Sequence, residues 1–184
     1  RYVGVAWEMV RSGDWVVPTE NGLPFFHKPP LFYWLTALSL RTFGVHVAAA
    51  RLAPLVCACL AIAGMFAVTR RRAGQPLAAA TVLVLATMPF FFAAAHYANL
   101  DMPVAAFIAL AVVFAADAAL AIRRGEPHRN ALLLAWTCAA LGVLAKGLIG
   151  IVLPGLVIVA WLVASGQSRA IVRLLSPLGF AVFA

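Results

Sequence analysis

Charge is scarce in this chain, and what little there is falls in a few places. Charged residues make up 11% of the 184 residues and hydrophobic residues 65%, with a mean hydropathy of +0.99. A soluble domain of this length does not need so much apolar surface and could not cover it with polar groups. Cysteine is almost absent, and Cys57, Cys59 and Cys138 all lie inside apolar runs. Residues two apart point to different helix faces, so Cys57 and Cys59 are packing residues rather than a metal pair. Strand-length alternation with regular turns is missing, which argues against a β-barrel. There is no internal repeat and no low-complexity linker. The net charge of +8 does not mark a nucleic-acid surface, because the positive residues sit in short clusters between apolar runs.

What remains is a series of apolar runs of roughly 17 to 25 residues, the length that crosses about 30 Å of hydrocarbon as helix. The fold class is all-α, a polytopic transmembrane helix bundle. Residues 1–46 read as an outer-face juxtamembrane segment and 47–184 as the bundle, with about five spans and the start of a sixth. Arg1 has no Met before it and Ala184 sits inside an apolar run, so an internal piece of a longer protein is expected.

Within 1–46, Tyr2 to Arg11 reads as a short amphipathic helix with Val3, Ala6, Trp7 and Val10 on one face, ended by Ser12-Gly13-Asp14. Asn21-Gly22 marks a tight turn, and Leu31 to Phe43 an interfacial or re-entrant helix too short to span. The spans are expected over 48–69, 77–95, 103–122, 131–145 and 148–164, with a sixth from near Ile171. Alternating them places Arg70, Arg71, Arg72, Arg123, Arg124, Arg129, Arg169 and Arg173 on one side, which the positive-inside rule makes cytoplasmic. The opposite loops carry only Asp101 and Lys146, beside residues 1–46.

Few residues could carry chemistry. Asp101, just ahead of Pro103, is either a helix N-cap or a working carboxylate at the mouth of an apolar bundle. Lys28, stiffened by Pro29 and Pro30, is either a snorkelling interfacial lysine or a point charge for a phosphate. Lys146, alone in an outer hairpin, is either an interfacial anchor or a second phosphate contact. Asp117 lies about 21 Å further along its helix than Pro103 and reads as structural. His27 and His96 have no metal-ligand spacing with Asp101. Aromatic residues crowd the outer side, among them Trp7, Trp15, Phe25, Phe26, Tyr33, Trp34 and Tyr97. An aromatic belt explains most of them; the density also suits a groove for a lipid chain and a sugar ring, with His27, Tyr33, Trp34 and Tyr97 as its candidates.

Arg1-Tyr2, then Ser12-Gly13-Asp14-Trp15, Asn21-Gly22, His27-Lys28-Pro29-Pro30-Leu31, Tyr33-Trp34 and Ala50-Arg51-Leu52 resemble the start of a GT-C type glycosyltransferase. The pattern continues in Asp101-Met102-Pro103 and Ala145-Lys146-Gly147, and it is similar to the aminoarabinose transferases of lipid A and to protein O-mannosyltransferase-like enzymes. The resemblance implies an enzyme of the bacterial inner membrane that takes a sugar from a polyprenyl-phosphate carrier at the periplasmic or outer face. The acceptor it implies is lipid A-like or a protein, and the partners are otherwise membrane lipids, not nucleic acid. Members carry their primary acid just before the Arg-Tyr pair, a position that falls upstream of Arg1. Asp101 is then a secondary acid, and Lys28 and Lys146 bind the donor phosphate. His27 stands where many members have Glu, leaving the sugar open. No cofactor is implied, and a divalent metal stays open. The rival reading is a transporter or channel segment, which paired broken helices or inverted repeats would favour.

Overall fold

The computed structural model describes residues 1–175 and 177–183. It consists of helices α1 (Tyr2–Ser12), α2 (Leu31–Phe43), α3 (Val47–Ala73), α4 (Gln75–Thr87), α5 (Pro89–His96), α6 (Asp101–Arg124), α7 (Arg129–Lys146), α8 (Ile149–Ala164), α9 (Arg169–Leu174) and α10 (Pro177–Phe183). One small hairpin, β1 (Thr19–Glu20) with β2 (Leu23–Pro24), stands between α1 and α2. The fold is an all-α membrane bundle.

The five apolar runs expected as spans fall on α3, α4 with α5, α6, α7 and α8. By length and apolarity α3 and α6 are each sufficient to cross a membrane, and α4 with α5 makes a third if the bent pair is one span. The sequence did not show the break in the run 77–95: α4 and α5 meet at Met88 with a 65° bend. Pro89 explains the position, since it has no N–H to donate and pushes Met88 to an extended ψ of 122°. Helix α8 is shorter, about 24 Å of rise for its 16 residues. The expected sixth span falls on the two short helices α9 and α10.

Helix α1 forms where expected, but its buried face is centred on Val5, Ala6 and Met9, with Val3, Trp7 and Val10 only partly covered. Gly13 ends it in the left-handed region at φ 76°, its N–H donating to the Met9 carbonyl. Asn21 and Gly22 both take positive φ, 55° and 76°, as a two-residue turn matched to strand twist requires. One apolar cluster holds Val5, Phe25, Phe32 and Tyr33 together with Ala49, Ala50 and Ala53 of α3 and Leu100. The juxtamembrane segment therefore shares its core with the start of the bundle.

Helices α7 and α8 form a tight hairpin. Gly147 turns the chain at φ 85°, and the backbones of Gly142 and Gly150 meet so closely that a Cβ on Gly150 would lie 2.1 Å from the Gly142 carbonyl carbon. Small residues at such a crossing let two membrane helices pack backbone to backbone.

Candidate active site at the mouth of the bundle

Three sequence neighbours of the candidate residues pack in one cluster: Leu31, Met102 and Ala145, together with Cys57, Ala58 and Phe107. Leu31 is three residues after Lys28, Met102 follows Asp101, and Ala145 precedes Lys146. One apolar plug therefore sets the Lys-Pro-Pro loop, the start of α6 and the end of α7 around the same end of the bundle.

The structure decides one of the two readings of Asp101. It is not the cap of α6. Asn99 takes that role, its Oδ1 accepting from the N–H groups of Asp101 at 3.1 Å and Met102 at 3.4 Å. The Asp101 carboxylate instead accepts from Lys146 Nζ, forming an ion pair between the N-terminus of α6 and the C-terminus of α7. Each charge suits its helix end, anion at the positive pole and cation at the negative one. The side chains stay 63% and 35% exposed, so both remain open to a ligand.

Lys28 is half-buried in the loop before α2, beside His27, whose ring lies 4.7 Å from that of Phe25. Trp34 is 37% exposed, and its indole N–H donates to the Trp15 carbonyl at 2.8 Å. That bond joins two motifs the sequence shows only as separate words. Asp14 Oδ1 accepts from the N–H groups of Val16 and Val17 at 2.9 and 3.0 Å, making the turn that presents the Trp15 carbonyl. Those two N–H groups, Val17 first, hold the Asp14 carboxyl below its usual range.

Tyr33 does not line a groove. It is fully buried, edge-on to Phe25 and tilted against Tyr2, with its hydroxyl among the buried groups that have no hydrogen-bond partner. Helical spacing explains the difference: consecutive Tyr33 and Trp34 lie about 100° apart, so one faces the core when the other faces out. Tyr97 is 65% exposed at the α5–α6 turn. Among the described residues no three His, Cys, Asp or Glu side chains gather as metal ligands.

Glu8 is a residue whose role the sequence hid. Its carboxylate accepts from the Thr19 hydroxyl at 2.7 Å, the Asn21 N–H at 2.6 Å and the Gly22 N–H at 3.2 Å, binding α1 to the hairpin turn. The Thr19 hydroxyl and the Gly22 N–H hold it below its usual 4.5. Arg1 closes the same hairpin, its guanidinium 3.0 Å from Glu20 Oε2 and 4.7 Å over the Phe25 ring.

At the other end of the bundle, Asp117 is buried and structural as expected. It accepts from Arg72 Nε at 2.5 Å and from Arg71 at 3.3 Å, while Arg72 also reaches Glu126 at 2.7 Å. This places the arginine-rich ends of α3 and α6 side by side, opposite Asp101 and Lys146.

The sequence model of the dolichyl-phosphate-mannose-protein mannosyltransferase family matches residues 27–184. The chain belongs to that family. Among family relatives, it is 33% identical over 165 residues to an undecaprenyl phosphate-alpha-4-amino-4-deoxy-L-arabinose arabinosyl transferase of Pseudomonas paraeruginosa, covering 85% of this chain and 29% of the relative. A similarly named transferase of Pseudomonas fluorescens is 29% identical over 181 residues, 94% of this chain and 30% of the relative. The crystal structure of ArnT from Cupriavidus metallidurans bound to undecaprenyl phosphate superposes with a TM-score of 0.89 at 34% identity, covering 100% of this chain and 34% of ArnT. Its apo form gives the same TM-score at 32% identity. The chain thus spans about a third of the length of these relatives, and the GT-C resemblance read from the motifs is correct.

Proposed function

We propose that this chain forms part of an integral membrane glycosyltransferase that moves a sugar from a polyprenyl-phosphate donor to a lipid A-like or protein acceptor. The observation that carries the reading is the Asp101–Lys146 pair, set around the same apolar plug as the Lys28 loop. It is supported by likeness over the whole chain to a protein solved with undecaprenyl phosphate bound. The names of the relatives point to 4-amino-4-deoxy-L-arabinose as the sugar.

The residues suit that chemistry. As the bond between the sugar C1 and the phosphate oxygen breaks, the phosphate leaves with added negative charge, which Lys28 and Lys146 stabilise. The acceptor oxygen bonds to C1; a hydroxyl acceptor gives its proton to a carboxylate, whereas a phosphate acceptor attacks as the anion and needs only positioning. The resemblance assigns that base to the acid expected ahead of Arg1, and Asp101 orients the reactants. Lys146 has three N–H donors, so it can keep Asp101 and donate to a phosphate at the same time. By the positive-inside rule the arginine end is cytoplasmic, which puts the Asp101 end at the periplasmic face of the inner membrane.

The test is the full-length protein reconstituted with a sugar-labelled undecaprenyl phosphate and candidate acceptors. Transfer of label with release of undecaprenyl phosphate supports the reading. Movement of the intact lipid-linked sugar across the bilayer without cleavage would overturn it in favour of a transporter. That rival would want a second broken span; among the described residues α4 with α5 is the one apolar helix pair bent by more than 40° at a short break.

A further inference from the structure

The arginines at the arginine end are not all held alike. Arg71, Arg72 and Arg124 reach Asp117 or Glu126, and Arg70 lies over the Phe66 ring at 5.7 Å. Arg123 of α6 and Arg173 of α9 reach no carboxylate among the described residues. They line one recess of about 460 Å³ with Ala119, Ile122, Gln167 and Ala170. Within that lining, Oε1 of Gln167 is buried and has no hydrogen-bond partner.

Two unpaired guanidiniums match the oxygens of a phosphate diester. An orphan carbonyl acceptor beside them costs free energy, and a rotation of the Gln167 side chain into the recess brings that oxygen to a ligand hydroxyl. The adjacent face of α9 makes a different surface: Ile171 and Leu174 line a separate cavity of about 310 Å³ with Leu132, Leu162 and Phe180. A short helix with arginine on one side and an apolar cavity on the other suits an amphiphile rather than a free anion. Basic pockets between membrane helices bind anionic headgroups on these grounds.

We propose that the recess between α6 and α9 binds the headgroup of an anionic glycerophospholipid of the phosphatidylglycerol type, drawn from the leaflet at the arginine end. Arg123 and Arg173 hold its phosphate, and Gln167 accepts from a glycerol hydroxyl. This site is distant from the Asp101–Lys146 pair and does not depend on what that pair does.

The experiment is native mass spectrometry of the full-length protein in neutral detergent, titrated with palmitoyl-oleoyl phosphatidylglycerol or phosphatidylcholine. The wild type should retain a phosphatidylglycerol adduct in preference to phosphatidylcholine. R123Q/R173Q should bind it about tenfold more weakly, whereas R70Q/R129Q, with the same net charge and both changes outside the recess, should bind as the wild type does. If R123Q/R173Q fails to fold, R173Q alone carries the test, with a loss of about threefold expected. Equal weakening in the two double variants would overturn the site, because charge alone would then explain binding. Absence of any phosphatidylglycerol preference would do the same. Displacement of the lipid by inorganic phosphate at millimolar concentration would show a free-phosphate site instead.

Discussion

Replacing Asp101 by Asn separates structure from chemistry at the mouth of the bundle. The side chain is 63% exposed and its lysine partner 35%, so the ion pair adds no more than about 1 kcal/mol to stability. The cap of α6 belongs to Asn99 and is untouched. The amide oxygen of the variant can still accept from Lys146. The unfolding midpoint should therefore move by no more than about 4 °C. Sugar transfer is another matter, because a carboxylate that works through its charge does not survive the change. A fall of at least about a hundredfold is expected, the scale of a lost acid–base group. The assay is turnover of a polyprenyl-phosphate sugar by the purified full-length protein, beside its thermal unfolding. Pairing the change with Lys146→Gln tests whether the two act as one device: the double variant should then fall no further than the worse single one. Near-normal turnover in Asp101→Asn would refute the reasoning. So would a collapse of the unfolding midpoint in step with activity, which would make the pair structural.

Lys28→Ala should abolish transfer while expression stays intact, and Lys28→Arg should keep a little activity, charge surviving but geometry not; full turnover by the alanine variant would make Lys28 a snorkelling residue. A cysteine at Gly125, in the α6–α7 turn, should resist an impermeant thiol reagent applied to intact cells; ready labelling would reverse the topology. Glu8 is held below 4.5 in the folded state, so its contribution is present above that value and lost as pH falls through the lower folded one. The protection of the Asn21 and Gly22 amides, taken against the intrinsic exchange rate at each pH, should fall in that acid window, and Glu8→Gln should remove this pH dependence. Asp117→Ala leaves Arg72, 9% exposed, with Glu126 as its remaining partner, and should cost about 3 kcal/mol in unfolding free energy, read by denaturant titration.

Apolar run length made the membrane bundle legible, and arginine clustering its two ends, because those signals are local and additive along the chain. Asp101, Lys28 and Lys146 were visible as lone charges beside apolar runs. What the sequence hid was partnership. Asp101 and Lys146 are 45 residues apart, and only the packing of α6 on α7 brings them together. Asn99 and Asp101 both look like cap residues, and their difference lies in where α6 starts, a matter of two residues. Tyr33 and Trp34 read alike as aromatics, yet burial divides them. Glu8 gave no signal, since its partners are the Thr19 hydroxyl and two backbone N–H groups of a turn, eleven to fourteen residues after it.

The two ends of the bundle also differ in how firmly their ions are held, and the difference follows from burial. At the arginine end Asp117 and Arg72 are 4% and 9% exposed, so parting them would leave charge in a poorly hydrated setting. Such a network is suited to fixing α3 against α6. The Asp101–Lys146 pair closes over no such barrier: water can replace either partner at little cost. A ligand phosphate can therefore recruit Lys146 without first overcoming a buried salt bridge. The Gly142–Gly150 contact keeps the α7–α8 hairpin, and with it the lysine's backbone, in place meanwhile. A weak pair on a rigid hairpin is the arrangement expected where a cation must be both positioned and available.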